Sequence, residues 1–279
     1  DDMEALRTLG MDVQSRKGKS PGWFLGERTF QLAELKLLVD AVQSSKFITQ
    51  RKSSELIRKL ESQASVHQAR QLQRQVYVDR RVKSMNESVY YTIDKLHTAI
   101  ANRKAVTFKY FEYNVKKEKV FRREGKRYTV SPLGLIWDNE NYYLAGYDHR
   151  SCEMRHYRVD KMMKIEMLEE KREGKEIIDQ FDMAAYAKAT FGMYQGNKEK
   201  VQIQFPNRMC GVFIDRFGKD ITFRPTDEEY SVFSVDVNVS PQFFGWIFGL
   251  GKEVKVIGPE SVVEQMRKAA EEFMENYEI

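Results

Sequence analysis

Near residue 105 the hydrophobic pattern of the chain changes period, and that change limits what it can fold into. From Asn86 to Lys104, Val89, Ile93, Leu96 and Ile100 recur at spacings of four, three and four, one face of an amphipathic helix with Asn86 as its N-cap. From Ala105 the period is two: Val106, Phe108 and Tyr110 alternate with Thr107, Lys109 and Phe111. Further strand signals follow at Tyr128 and Val130, at Leu133 to Trp137, in YYLAGY (142–147) after a DNEN turn, and in MRHYRVDKMMKIEML after a turn around DHRSC. One helix followed by about five short, closely connected strands fits a small curled barrel.

Residues 170 to 198 are charged and irregular, a candidate boundary. Beyond them VQIQF, RMCGVFIDRFG, ITFRP, YSVFSVDVNV, PQFFGWIFGLG, EVKVIG and PESVVEQMRKAAEEFMENY give the order βαββαβ, the ferredoxin-like split motif. Ser240 before Pro241 marks the second helix start. That helix carries Phe243, Phe244, Trp246, Ile247, Phe248 and Leu250, apolar nearly all round, so it is expected in the core. Cys210, in the first helix, is expected there too.

At the other end, Met3, Leu6 and Leu9 have helical spacing, with Gly10 as a stop. With no starting Met, this reads as the end of a helix that begins outside the sequence, so a fragment lacking its N-terminal segment is expected. Met11 and Val13, the turn SRKGKSPG and Trp23 to Leu25 suggest a hairpin with Arg16, Lys17 and Lys19 near its tip. Helix end, then hairpin with a basic tip, is the order of a winged helix-turn-helix, whose wing touches the DNA backbone; any small helix-plus-hairpin fits the same residues. Thr29 then caps a helix with Leu32, Leu35, Val39 and Val42 on one face, and a second covers Ser53 to Ser62 with Leu56 and Leu60 inward. Gln75 to Val82 is ambiguous and reads as a strand. Together these residues form a helical connector and a candidate dimer surface.

Of the 279 residues, 42% are apolar and 31% charged, enough for two ordinary domains with cores. No apolar run approaches a membrane span, and DDMEALRTLG is no secretory signal. With only Cys152 and Cys210, no disulfide framework exists, and the reducing cytoplasm is the expected location. The 46 basic and 41 acidic residues leave +5, compatible with a polyanionic partner.

Residues 141–162, NYYLAGYDHRSCEMRHYRVDKM, gather four tyrosines, two histidines, three arginines and two aspartates in what otherwise reads as a hairpin. Alternation puts Tyr157 and Val159 on one face and Met154, His156, Arg158 and Asp160 on the other. If the first pair is core, His156, Arg158 and Asp160 line an accessible surface. Arg155 falls on the face opposite Arg158 unless it lies at the strand mouth or a bulge intervenes. Guanidinium forks match phosphate oxygens, tyrosine faces stack on bases, and Asp160 can hold Arg158 in place. Tyr142 or Tyr143 can supply the stack, since one of them faces away from the core. A solvated hairpin with Arg158–Asp160 and Arg155–Glu153 surface pairs explains the same residues. His149, Cys152 and His156, with Asp148 and Asp160 close by, have ligand-like spacing, but paired cysteines and a clear fourth ligand are missing, so no metal is expected. No phosphate-binding glycine loop, nucleophile elbow or HExxH occurs. No catalytic residue and no cofactor is therefore assigned, and an enzyme is not expected.

YYLAGYD followed by RHYRVDKM resembles the signature of WYL-domain proteins, a Trp-Tyr-Leu triplet followed after a turn by an Arg-x-Phe-Arg-Leu-Asp-Arg strand. The triplet here is Tyr142-Tyr143-Leu144 and the strand Arg155 to Lys161. Ser131-Pro132-Leu133-Gly134-Leu135 is similar to the family's Pro-containing strand. Trp is replaced by Tyr at 142, which keeps an aromatic face. The final Arg is replaced by Lys at 161, which loses the bidentate fork.

The resemblance implies an α+β chain: end of recognition helix and wing over 1–27, a helical connector over 28–85, a WYL Sm/SH3-like barrel over 86–169, and a ferredoxin-like C-terminal extension over 170–279. It implies a bacterial transcription regulator that binds double-stranded DNA through the winged helix and senses a nucleic acid or nucleotide at the barrel. A homodimer would relay the signal by its geometry. The implied effector contacts are Tyr142, Tyr143, His149, Arg155, Arg158, Asp160 and Ser131. The alternatives are an accessory protein that binds single-stranded nucleic acid without sensing, and a scaffold or dimerisation protein.

Overall fold

The computed structural model describes residues 2–18, 21–26, 29–72, 83–194 and 196–277. It divides into two compact units, Asp1–Tyr90 and Tyr91–Ile279.

The first unit starts with helix α1 (Asp2–Thr8) and an antiparallel hairpin of β1 (Val13–Arg16) and β2 (Gly22–Leu25), Val13 facing Leu25. Arg7 donates from Nε to the Val13 carbonyl at 3.0 Å and lies 5.4 Å from the Trp23 ring, tying helix to hairpin. Arg16 and Lys17 are exposed near the hairpin tip. Lys19 lies outside the described residues, as does the whole of the ambiguous segment Gln75 to Val82. Helices α2 (Leu32–Ser44), α3 (Gln50–Glu61) and α4 (Val66–Leu72) enclose a small core of Leu35, Val39 and Leu72, with Ile57 and Leu60 against it. Thr29 does not cap α2. The N-cap is Gln31, whose backbone N–H donates to the Glu34 carboxylate at 2.7 Å, because the chain turns two residues later than Thr29 allows. Thr49 caps α3, accepting from the Lys52 N–H, so that helix begins before Ser53.

Helix α5 (Val89–Ala101) follows Asn86, whose side chain accepts from the Ser88 N–H. The second unit then builds a curled six-stranded sheet from β3 (Lys104–Tyr113), β4 (Lys119–Phe121), β5 (Tyr128–Asp138), β6 (Asn141–Asp148), β7 (Glu153–Arg158) and β8 (Met162–Lys171). Its order is β4-β3-β5-β6-β7, with β8 returning to pair β3. Two expected strands merge and one divides. Tyr128 to Asp138 is continuous because a register shift between Pro132 and Gly134 absorbs the proline, which has no N–H for the ladder. The run from 154 to 168 breaks at Arg158, where a 3₁₀ turn over Val159–Lys161 sends the chain back across the sheet. Asp160 therefore lies on this turn rather than on a strand.

Two short helices occupy the segment expected to be irregular, α6 (Lys175–Asp179) and α7 (Met183–Ala189). Asp182 caps α7, accepting from the Ala184 and Ala185 N–H groups. The last sheet consists of β9 (Asn197–Pro206), β10 (Arg224–Pro225), β11 (Tyr230–Val239) and β12 (Lys255–Gly258), ordered β10-β11-β9-β12 and antiparallel, the order of the split βαβ motif. Helices α8 (Cys210–Phe217), α9 (Pro241–Gly249) and α10 (Glu260–Glu275) accompany it. Ser240 accepts from the Phe243 N–H, with Pro241 at the first helical position. Phe243, Phe244 and Ile247 are buried among Phe205, Phe213, Phe217 and Phe233, and Cys210 packs against this cluster, whereas Phe248 is 47% exposed. The fold is α+β throughout, a curled barrel-like sheet followed by a ferredoxin-like one.

Candidate anion-binding site

The β6–β7 ladder sets two faces. Leu144 pairs with Tyr157 and Gly146 with Arg155 on the inner face; Tyr143 pairs with Arg158 and Ala145 with His156 on the outer. A Cβ at Gly146 would meet the Ser131 carbonyl and the Val130 side chain at 2.7 Å, so only glycine lets β5 and β6 close opposite Arg155.

Phe108, Tyr110, Tyr128 and Tyr157 form an aromatic cluster on the inner face, ring centroids 5.4 to 6.4 Å apart. The Tyr157 hydroxyl donates to the Asp148 carboxylate, which also accepts the Arg150 and Ser151 N–H groups at 2.9 Å. Burial opposes the charge of Asp148, but the Tyr157 hydroxyl, these N–H groups and Arg123 outweigh it and hold the carboxyl below its ordinary value. Burial, with the Asp148 charge, pushes the Tyr157 phenol well up. Burial also raises Tyr110, to about 12.

Above these rings the barrel opens into a depression of about 660 Å³. Arg122, Arg123 and Arg155 line it with Glu112, which pairs with Arg122 at 3.1 Å, and Tyr110, Tyr128 and Tyr157 form its base. Arg123 has φ 53° and Glu124 φ 55°, a left-handed turn that aims Arg123 inward. Its guanidinium sits 3.8 Å above the Tyr128 ring and 3.7 Å from Asp148. Arg155 reaches Glu153 at 3.4 Å through one terminal nitrogen, while its buried Nε has no hydrogen-bond partner among the described residues. His156, with Met193 and Tyr194 beyond α7, completes the rim.

The remaining expected contacts separate into other clusters. On the outer face Arg158 grips Asp160 through Nε and Nη2 at 3.0 and 2.9 Å and reaches the Asn141 side chain at 2.9 Å; its backbone N–H donates to the Tyr110 hydroxyl at 3.1 Å. Tyr143 is 8% exposed, packed with Ile136, Ala145 and Met193 under α7. His156 meets the Tyr186 hydroxyl at 2.6 Å, and burial lowers its affinity for a proton. The face that alternation left accessible is thus partly roofed by α7. Tyr142 packs edge-on against Trp137 at 4.6 Å. Ser131 is fully buried, its hydroxyl 2.8 Å from His149 Nε2 and accepting the Glu173 N–H, while His149 Nδ1 lies 3.4 Å from the Glu173 carboxylate. Cys152 is exposed. Among the described residues, no group of three or more His, Cys, Asp and Glu side chains is placed to hold a metal ion.

Sequence reasoning did not assign Arg122, Arg123, Tyr110 or Tyr128 to a site. Their signal was a basic loop flanked by aromatic strand ends.

A WYL-domain model matches residues 91–167 and a WCX-domain model residues 197–274. No curated protein matches the chain. Among solved structures, proteasome accessory factor B/C of Arthrobacter aurescens is 14% identical with a TM-score of 0.31, over 96% of this chain and 40% of that one. A CRISPR Cas-related protein is 15% identical with a TM-score of 0.41, over 88% of this chain and 71% of that one. The chain thus spans 40% of the length of the first. It belongs to the WYL-domain family, with the curled sheet as its WYL domain and the split βαβ sheet as its WCX domain.

Proposed function

We propose that the chain is part of a DNA-binding transcription regulator whose WYL barrel senses an anionic ligand, a nucleic acid or nucleotide. The observation that carries this is the convergence of Arg122, Arg123 and Arg155 over a floor of tyrosines, with a buried Arg155 Nε left unpartnered. Guanidinium groups bind phosphate oxygens in pairs, and the exposed Tyr194 offers a ring for a base. Arg155 is the leading contact. Arg158 is the second: Nε and Nη2 are held by Asp160 and Asn141, and Nη1 is left for an oxygen. Tyr142 and Tyr143 flank this group, while Ser131 and His149 act by holding β5 to the segment around Glu173.

Helix α1 and the β1–β2 hairpin, with Arg16 and Lys17 exposed and Lys19 beyond them, supply the contact to double-stranded DNA. The helices that follow, with the barrel, carry the signal between the protomers of a homodimer. A ligand shifts that equilibrium only by binding one arrangement better than the other. The domains assigned from the sequence, 1–27, 28–85, 86–169 and 170–279, are the units of this proposal. No catalytic step is part of it, and no described helix is long and apolar enough to cross a membrane.

The test uses sedimentation and duplex-DNA binding with and without saturating oligo-dT, mononucleotides or cyclic nucleotides. A ligand that binds and changes self-association or duplex affinity supports sensing. Binding without either change favours the accessory-protein reading, and no binding by any of them contradicts the proposal.

A further inference from the structure

The face of the WCX sheet turned away from the α8, α9 and α10 core carries several cations, and the barrel site does not use it. Along β9, Val201, Ile203 and Phe205 point into the core, which leaves Lys198, Lys200 and Gln202 on the other face. The ladder places Asp236 opposite Lys200 and Ser234 opposite Gln202, and Arg224 joins from the edge strand β10. These residues line a depression of about 840 Å³, closed at one end by Lys188 of α7. Lys198 pairs with Asp236 at 3.3 Å. Lys188, Lys200 and Arg224 are exposed and have no partner among the described residues. Asp220 also lines the depression, so four cations (Lys188, Lys198, Lys200 and Arg224) face two carboxylates (Asp220 and Asp236) and leave a formal charge of +2, an excess that favours an anion.

The geometry points to a second anion-binding face here, one that takes the phosphodiester backbone of a nucleic acid through Lys188, Lys200 and Arg224. Alternate residues of a strand lie about 6.8 Å apart and neighbouring strands about 4.8 Å apart, so the cations form a spread array rather than a pocket for one small anion. Gln202, Ser234 and Thr222 between them supply neutral hydrogen-bonding groups for sugar and phosphate oxygens. The depression has no exposed aromatic side chain to stack a base, so contact is to backbone and is tolerant of sequence. Helix α7 joins this face to the barrel: Tyr186 meets His156, and Lys188, two residues on, lines the WCX depression. The inference goes beyond the barrel site and rests on different residues.

The test measures binding of long oligo-dT, duplex DNA and a mononucleotide across salt. It compares wild type with the triple variant Lys188→Ala/Lys200→Ala/Arg224→Ala and a control triple, Lys171→Ala/Lys252→Ala/Lys268→Ala, which removes exposed lysines elsewhere. For the site variant, affinity for long oligo-dT or duplex should fall about tenfold at low salt, and the salt slope for a single strand should drop by about 2, near 0.7 per lost phosphate contact. Mononucleotide binding should not change. Loss confined to one polymer identifies which form this face takes. An equal loss in the control triple, an unchanged slope, or displacement by polyglutamate as strong as by oligo-dT overturns the proposal.

Discussion

Arg155 and Arg158 lie three residues apart on β7 and face opposite sides of the sheet: Arg155 opens into the barrel mouth beside Tyr157, while Arg158 grips Asp160 and Asn141 on the outer face. The strand period separates them, and their substitutions should have different consequences.

Arg158→Ala removes a bidentate ion pair and the bond to Asn141. Because the side chain is 38% exposed, the cost is discounted to about 1 kcal/mol, a fall in melting temperature of about 2–4 °C. Arg155→Ala breaks only one long surface contact and relieves an unpartnered nitrogen, so melting should be unchanged. Paired thermal melts check this; a larger loss for Arg155→Ala would show that its role is in packing.

Tyr157→Phe deletes the hydroxyl that Asp148 accepts while keeping the ring in the aromatic cluster. A buried carboxylate that loses a donor costs about 1–3 kcal/mol. Denaturant unfolding should show that loss at neutral pH. The depressed Asp148 carboxyl stabilises the fold above its unfolded value, and this stability fades as pH falls through its folded value. Tyr157→Phe weakens that depression, so the gap between variant and wild type should narrow in acid.

Burial lowers the proton affinity of His156 below the ordinary imidazole value, so the unfolded chain binds the proton more readily. Stability from this residue is present above about pH 6.5 and is lost as pH falls below it. The melting temperature should drop on acidification, and His156→Gln should flatten that part of the profile. An unchanged slope would show that α7 does not enclose the ring in solution.

Phe243 is fully buried where α9 meets the WCX sheet. Phe243→Ala should cost about 3–5 kcal/mol, read from denaturant unfolding. Phe248→Ala, on the exposed side of the same helix, should cost far less. The two together test whether α9 is a core helix with one open edge.

Much of this architecture can be read from periodicity. Val201, Ile203 and Phe205 announced β9 because that strand buries one face, and Val106, Phe108 and Tyr110 announced β3 by alternation although Ala105, Thr107 and Phe111 of its other face are buried too. The break at Val159 was hidden, since a 3₁₀ turn with a buried Val159 looks like a continuing strand. Helices α6 and α7 were hidden because they are too short to show a period, although α7 decides how much of the outer face is open. The site was only partly legible. Alternation separates Arg155 from Arg158, but it cannot report that Arg123, in a left-handed turn about thirty residues earlier in the chain, lies over Tyr128. Such convergence is a property of barrel closure and not of local sequence.

The central claim is that the barrel mouth holds an anion through Arg155. It is tested most directly by titrating labelled mononucleotide and short oligo-dT against wild type and Arg155→Ala across salt. The account predicts saturable binding by wild type and a loss of tenfold or more, about 1.4 kcal/mol, in the variant, with a shallower salt slope. Equal affinity and equal slope for both proteins, with the fold intact, would contradict it.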